Sequence, residues 1–256
     1  MDAAIFAGLM AMPDPTEEEL NEDARERYAI SGPFDIDRWP ESVRALSMPT
    51  KMVEVADRKA WVSMWDMPGY SPLVAEYAAK LDDAMNWDTR FVRLNSRSPK
   101  DASYPGLPIT CAGRQAMWWI MSSERCLDDS VTHWRADAPI FICLRRALPI
   151  DPAFEFLCFA KDGEVIAVSR YDYHNPSRIP AEMSPKLLDS AKAFYGRHLS
   201  DHYGDVVFDL NALGTAYELL IELNPYGLSD PCCFGSYQEV ERGGVRLSLP
   251  PTPAPA

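Results

Sequence analysis

Val206-Val207-Phe208-Asp209-Leu210 and Leu219-Leu220-Ile221-Glu222-Leu223-Asn224-Pro225 stand a few residues apart towards the end of the chain. Each is an apolar, β-prone run interrupted by hard oxygen donors. Asn211, Gly214 and Thr215 between them suit a turn, so the pair is expected to fold as a hairpin. In a hairpin Asp209 lies roughly opposite Glu222, and Asn224, two residues on, shares its face. Three oxygen donors on one face of an apolar hairpin suit Mg²⁺, which takes a few carboxylate oxygens and leaves positions for phosphate. The same letters also read as two ordinary strands whose isolated carboxylates meet solvent.

Upstream, Phe154–Ala160 and Glu164–Arg170 predict a second hairpin through Asp162-Gly163, a type I′ turn signal. Pairing outward from that turn sets Lys161 against Glu164, Leu157 against Val168 and Glu155 against Arg170. Leu157 and Arg170 are then expected on one face. Leu73–Met85 reads as an amphipathic helix, Arg90–Leu94 and Ile140–Leu144 as strands, and Pro185–Tyr203 as a helix. Irregular mixing of helices with hairpins argues for an α+β fold rather than a doubly wound sheet. Residues 1–50 look peripheral, and the proline-rich end 246–256 looks extended or disordered.

The chain has 256 residues, 47% hydrophobic, enough for one large domain or two joined lobes. Its net charge of −13, from 25 basic and 38 acidic side chains, disfavours broad nucleic-acid or anionic-membrane binding. The six cysteines include no C-x-x-C, and reduced thiols in a cytoplasmic setting fit them best. Met1–Met12 is apolar but lacks a cationic lead-in, and no run reaches the ~20 apolar residues of a membrane helix.

No Walker loop, dinucleotide fingerprint, nucleophile elbow or H-E-x-x-H motif is present. His198 and His202 have i, i+4 spacing but read as surface residues near a helix end. Arg93, Arg97 and Lys100 crowd into a Ser/Asn-rich segment after a strand, which suits phosphate binding or a plainly solvated loop. Arg145-Arg146 closes another strand, placed either to reach a ligand or to pair with surface acids.

In this order the segments resemble the cell division cycle protein 123 family of the ATP-grasp superfamily. The family's F-P-K-L-N-x-x-x-P-K-D-A is met by Phe91-Val92-Arg93-Leu94-Asn95 and Pro99-Lys100-Asp101-Ala102. Its L-R-K strand end is met by Leu144-Arg145-Arg146. Its E-F-R-C-F-V and I-S-Q-R-D-Y pair is met by Glu155–Ala160 and Val168–Tyr173. Its F-D-I and D-F-N-P-F/Y-G are met by Phe208-Asp209-Leu210 and Glu222–Gly227. Order and spacing agree from about Phe91 to Glu239, and residues 1–90 show no match.

The resemblance implies an ATP-grasp-like fold, with ATP clamped between an N-terminal lobe (51–139) and a C-terminal lobe (140–245). Asp209, Glu222 and Asn224 would hold one or two Mg²⁺. Arg93, Lys100 and Arg170 would neutralise phosphate oxygens, with Arg145 and Arg146 as further nucleotide contacts, Arg146 near the adenine hinge. Asp172 would orient an acceptor. Three departures stand out: Arg93 for a family Lys, Leu157 for an Arg, and Glu222 for an Asp. Arg170, replacing a Gln, is expected to supply the cation that Leu157 lacks. Superfamily members activate carboxylates as acyl phosphates, whereas eukaryotic members of this branch are assembly factors for translation initiation factor 2. The unmatched first ninety residues favour ligase-like chemistry on an unknown acceptor, with the assembly of a protein partner as the alternative.

Overall fold

The computed structural model describes residues 14–66, 71–102, 107–175 and 177–248. Met1–Met12 and Leu249–Ala256 lie outside the described residues. Helix α1 (Glu17–Ser31) begins with a capping box, in which the Thr16 hydroxyl accepts from the Glu19 amide and Glu19 accepts from the Thr16 amide. The acidic run Glu17-Glu18-Glu19 thus occupies a first turn, where the helix dipole favours negative charge.

After α2 (Glu41–Arg44), the first lobe comprises β1 (Thr50–Glu54), α3 (Arg58–Ser63), α4 (Pro72–Met85), β2 (Arg90–Leu94), β3 (Ile109–Thr110), α5 (Gly113–Met121), α6 (Glu124–Arg135) and β4 (Phe141–Arg146). The second comprises β5 (Glu155–Lys161), β6 (Glu164–Arg170), α7 (Ser184–His198), β7 (Val206–Asn211), β8 (Leu219–Asn224), α8 (Tyr237–Glu241) and β9 (Gly244–Arg246). The sheets run β1-β4-β2-β3 and β8-β7-β5-β6-β9, antiparallel throughout except for the β6–β9 pair. The fold is α+β, as expected, with two lobes each built on one sheet.

Strand alternation decides what each sheet presents to the cleft. In the first sheet Val92 pairs with Leu144 and Leu94 with Ile142, packing with Leu81, Met85 and Ile120. The opposite face carries Arg93 beside Cys143 and Phe91 beside Arg145, turned towards the second lobe. In the second sheet Phe156, Cys158, Val168 and Phe208 pack on Leu187, Ala191 and Phe194 of α7. Its other face presents Leu157, Asp209 and Glu222 to the first lobe.

Four expectations need correction. The β5–β6 turn is as read, with Asp162 and Gly163 at φ 53° and 80° and Lys161 opposite Glu164. A bulge between Phe159 and Ala160 then shifts the register, so Leu157 meets Ser169 and Phe156 meets Arg170. A one-residue slip exchanges faces, and Arg170 therefore shares the face of Phe156, not that of Leu157. Residues 14–50 are not peripheral: Ile36, Trp39 and Val43 are buried in the second lobe's core, and Ser47 bridges to Leu220 of β8. The helix expected to reach Tyr203 ends at His198, where buried Leu199 and a Tyr195 hydroxyl bond to the Tyr203 carbonyl (2.5 Å) turn the chain inward. Arg246, placed in the expected tail, closes strand β9.

Candidate functional site

The β7–β8 hairpin has the register expected from the sequence: Asp209 opposite Glu222, and Asn224 opposite Val207. A bulge at Ile221 follows Asp209 and keeps both carboxylates on the cleft face. Asp209 is only 3% exposed, and its Oδ1 is buried without a hydrogen-bond partner. Burial, then the neighbouring Glu222 and Glu155 carboxylates, push its carboxyl well above the ordinary range. Burial also opposes ionisation of Glu222, but Arg93, Lys100 and Arg145 overcome it and hold that carboxyl low. Arg93 Nη2 lies 2.7 Å from Glu222 Oε1.

An orphaned buried acceptor costs on the order of 1–3 kcal/mol, and a bound cation would remove that cost. Among the described residues no three His, Cys, Asp or Glu side chains form a closed metal site. Two carboxylates and the Asn224 amide fit Mg²⁺, whose remaining positions phosphate oxygens and water fill.

The expected cations divide into three groups. Lys100 stands over the cleft, its Nζ donating to the Tyr171 hydroxyl at 2.8 Å above that ring. Desolvation pulls its pKa down, but Glu222 and Tyr171 raise it further, so it stays charged. Arg93 and Arg145 are buried and tie the lobes together. Arg93 pairs with Glu222 and donates to the Ser96 carbonyl, while Arg145 donates to the Ile221 carbonyl (2.8 Å) and the Ser47 hydroxyl (2.5 Å). Arg146 is exposed and, one residue along the strand, turns to the opposite face, so its side chain is not brought to the cleft. Arg170 lies on the far face of its sheet, 1% exposed, and donates to the Asn175 carbonyl. Asp172 does line the cleft, its carboxylate accepting from Asn175 Nδ2 at 2.9 Å.

Asp209, Glu222, Asn224, Lys100 and Asp172 line a cavity of about 1000 Å³ between the lobes. Sequence reasoning missed part of its wall. Tyr171 enters because the true register puts it on the cleft face; a correct β5–β6 bulge would have revealed it. Glu155, two residues before Leu157 on the same strand face, does not line the cavity but is pushed up to about 7 chiefly by burial, with Lys100 opposing. Asp35 comes from the segment expected to be peripheral.

Asp35 and His133, both at most 3% exposed, meet at 3.4 Å, and Asn95 Nδ2 donates to both Asp35 (3.3 Å) and Asp37 (2.8 Å). Burial, then Asp37 and Asp129, push Asp35 up to about 8, and burial pushes His133 down. The folded state thus keeps a proton on Asp35 that the unfolded chain releases near pH 4, and stability is lost as pH rises towards 8. Asp35→Asn should flatten that loss: melting temperatures of the two proteins should diverge from about pH 4 to 8 and run parallel above it, the variant falling less. Curves parallel throughout would mean that Asp35 is ionised in the fold.

Among the described residues no helix is long and apolar enough to cross a membrane. The "Translation initiation factor eIF2 assembly protein" of Xenopus laevis is 24% identical over 192 residues, covering 67% of this chain and 55% of that protein. The "Cell division cycle protein 123" of Yarrowia lipolytica is 28% identical over 128 residues, 46% of this chain and 34% of the relative. The chain thus spans about half the length, or less, of these relatives. The structure of Cdc123 from Schizosaccharomyces pombe superposes with a TM-score of 0.66 at 20% identity, covering 88% of this chain and 98% of the other. The D123 family matches residues 71–248, more than half of the sequence, and the chain belongs to that family.

Proposed function

We propose that this chain binds Mg·ATP between its lobes and uses the bound nucleotide to assemble a protein partner, as the names of its relatives describe for eIF2. The observation that carries the nucleotide half is Asp209: a buried carboxylate with an orphaned oxygen, beside Glu222, beneath an exposed lysine. Asp209, Glu222 and Asn224 would hold the metal, which would neutralise phosphate charge when bound. Lys100 would exchange the Tyr171 hydroxyl for a phosphate oxygen, a stronger, charge-assisted contact. Arg93 and Arg145 would couple the site to lobe closure, because both already bridge lobe to lobe.

Acyl-phosphate chemistry gains less support. Asp172, expected to orient an acceptor, is occupied by Asn175, and Arg170, expected to neutralise phosphate, faces away from the cleft. The assembly reading requires neither.

Mg·ATP should raise the melting temperature by mass action, on the order of 2.7 kcal/mol of stabilisation at a hundredfold excess over Kd. Calorimetry and thermal shift that detect no ATP interaction, with or without Mg²⁺, would refute the nucleotide half. Failure of the Mg·ATP-loaded protein to bind eIF2 subunits, alongside ADP release with pooled amino acids or peptides, would return the ligase reading.

A further inference from the structure

Beside Lys100 the cleft wall carries a second cation that no family motif in the sequence marks. Asp101, the next residue along the chain, has both carboxylate oxygens engaged. Oδ1 accepts from the Ser123 hydroxyl at 2.5 Å and Oδ2 from the Arg125 amide at 3.0 Å. Ser123 in turn caps α6 by accepting from the Cys126 amide at 3.1 Å. The basic loop is thereby fastened to the first turn of α6, and Lys100 and Arg125 line the same cavity. The amides of that turn are taken up by the protein's own side chains, so the helix end itself offers little to a ligand.

The charge accounting singles out Arg125. The other arginines lining the cleft are paired: Arg27 with Asp128 at 2.9 Å and Arg97 with Asp129 at 3.2 Å. Among the described residues the half-buried Arg125 guanidinium makes no hydrogen bond or ion pair of its own, and acts only through space, helping to lower the Asp101 carboxyl. Lys100 bonds only a tyrosine hydroxyl. In a chain of net charge −13, two cations on one wall, neither in a close ion pair with a carboxylate although acidic groups lie within electrostatic reach of both, make a seat for an anion.

We infer that Lys100 and Arg125 together seat the terminal phosphoryl group of a bound nucleoside triphosphate, with Asp101 as the positioning residue that holds them side by side. This rests on the Mg·ATP reading above. Lys100 is the cation near the metal-type carboxylates, and Arg125, beyond Asp101 on the same wall, meets the group at the end of the phosphate chain.

Calorimetry on the full chain tests it. Arg125→Ala should weaken Mg·ATP about tenfold or more and Mg·ADP by no more than about twofold, and Arg125→Lys should recover part of the loss. Unchanged Mg·ATP affinity, or equal weakening of both nucleotides, overturns the assignment to the terminal group. Crystals soaked in inorganic phosphate give an arm independent of nucleotide. If the wild-type chain binds no ATP, the functional proposal fails; phosphate density between Lys100 and Arg125 that Arg125→Ala abolishes would then keep the seat as a free-phosphate site. Absence of that density in the wild type, together with no nucleotide preference, removes the seat as well.

Discussion

Asp209→Asn should make the ligand-free protein more stable and the nucleotide-bound protein much weaker. The carboxylate is buried, carries an oxygen with no partner and stands among like charges from Glu222 and Glu155. Its raised pKa means that the folded state retains a proton which the unfolded chain releases above about pH 4. As pH rises beyond that, this group contributes a growing loss of stability. An amide of the same shape has no such charge to bury. Relief of about 1–3 kcal/mol corresponds to a rise of roughly 2–12 °C in melting temperature for a domain of this size. The same change removes a charged metal ligand and should weaken Mg·ATP roughly ten- to a hundredfold. Differential scanning calorimetry without ligand and titration calorimetry with Mg·ATP read the two effects separately. A variant that is less stable yet binds ATP normally would mean that Asp209 is a structural residue and no ligand.

The β7–β8 hairpin was legible because its information is local. Two short runs, a turn between them and a period of two place Asp209, Glu222 and Asn224 on one face, and the observed pairing agrees. The α+β class followed from the same local patterns. The β5–β6 hairpin shows where local reading stops. Its turn was correct, but a bulge at Phe159/Ala160 leaves no mark in an apolar run, and one unpaired residue moved Arg170 to the other face. Arg145 and Arg146 differ in the same way: both end a strand, and only the pairing of β2 with β4 tells which one turns inward. Residues 14–50 were misjudged for a different reason. Their acidic start suggested a solvated appendage, whereas Ile36, Trp39 and Val43 find their partners far along the chain. Arg125 and Asp101 belong to that long-range class too, since a contact between the basic loop and α6 has no periodic signature.

Glu222→Gln should act on stability in the opposite direction from Asp209→Asn, although both residues are expected metal ligands. Glu222 is the counter-charge of Arg93, whose side chain is 2% exposed and 2.7 Å away. The other contacts of that guanidinium are the Leu94 and Ser96 carbonyls, which do not neutralise it. Removing one partner of a buried pair strands the other, at a cost of about 3–5 kcal/mol, or roughly 6–20 °C in melting temperature. The pair also joins β2 of the first lobe to β8 of the second, so hydrogen exchange should quicken at the lobe interface before the helical cores open. Replacing both partners, as in Arg93→Met with Glu222→Leu, leaves no stranded charge and should recover most of the lost stability while Mg·ATP binding stays weak. Two carboxylates facing each other across one hairpin would then have different duties, Asp209 left unsatisfied for the cation and Glu222 holding the lobes in register until it arrives. If Glu222→Gln melts with the wild type, Arg93 does not depend on it and that division of labour is wrong.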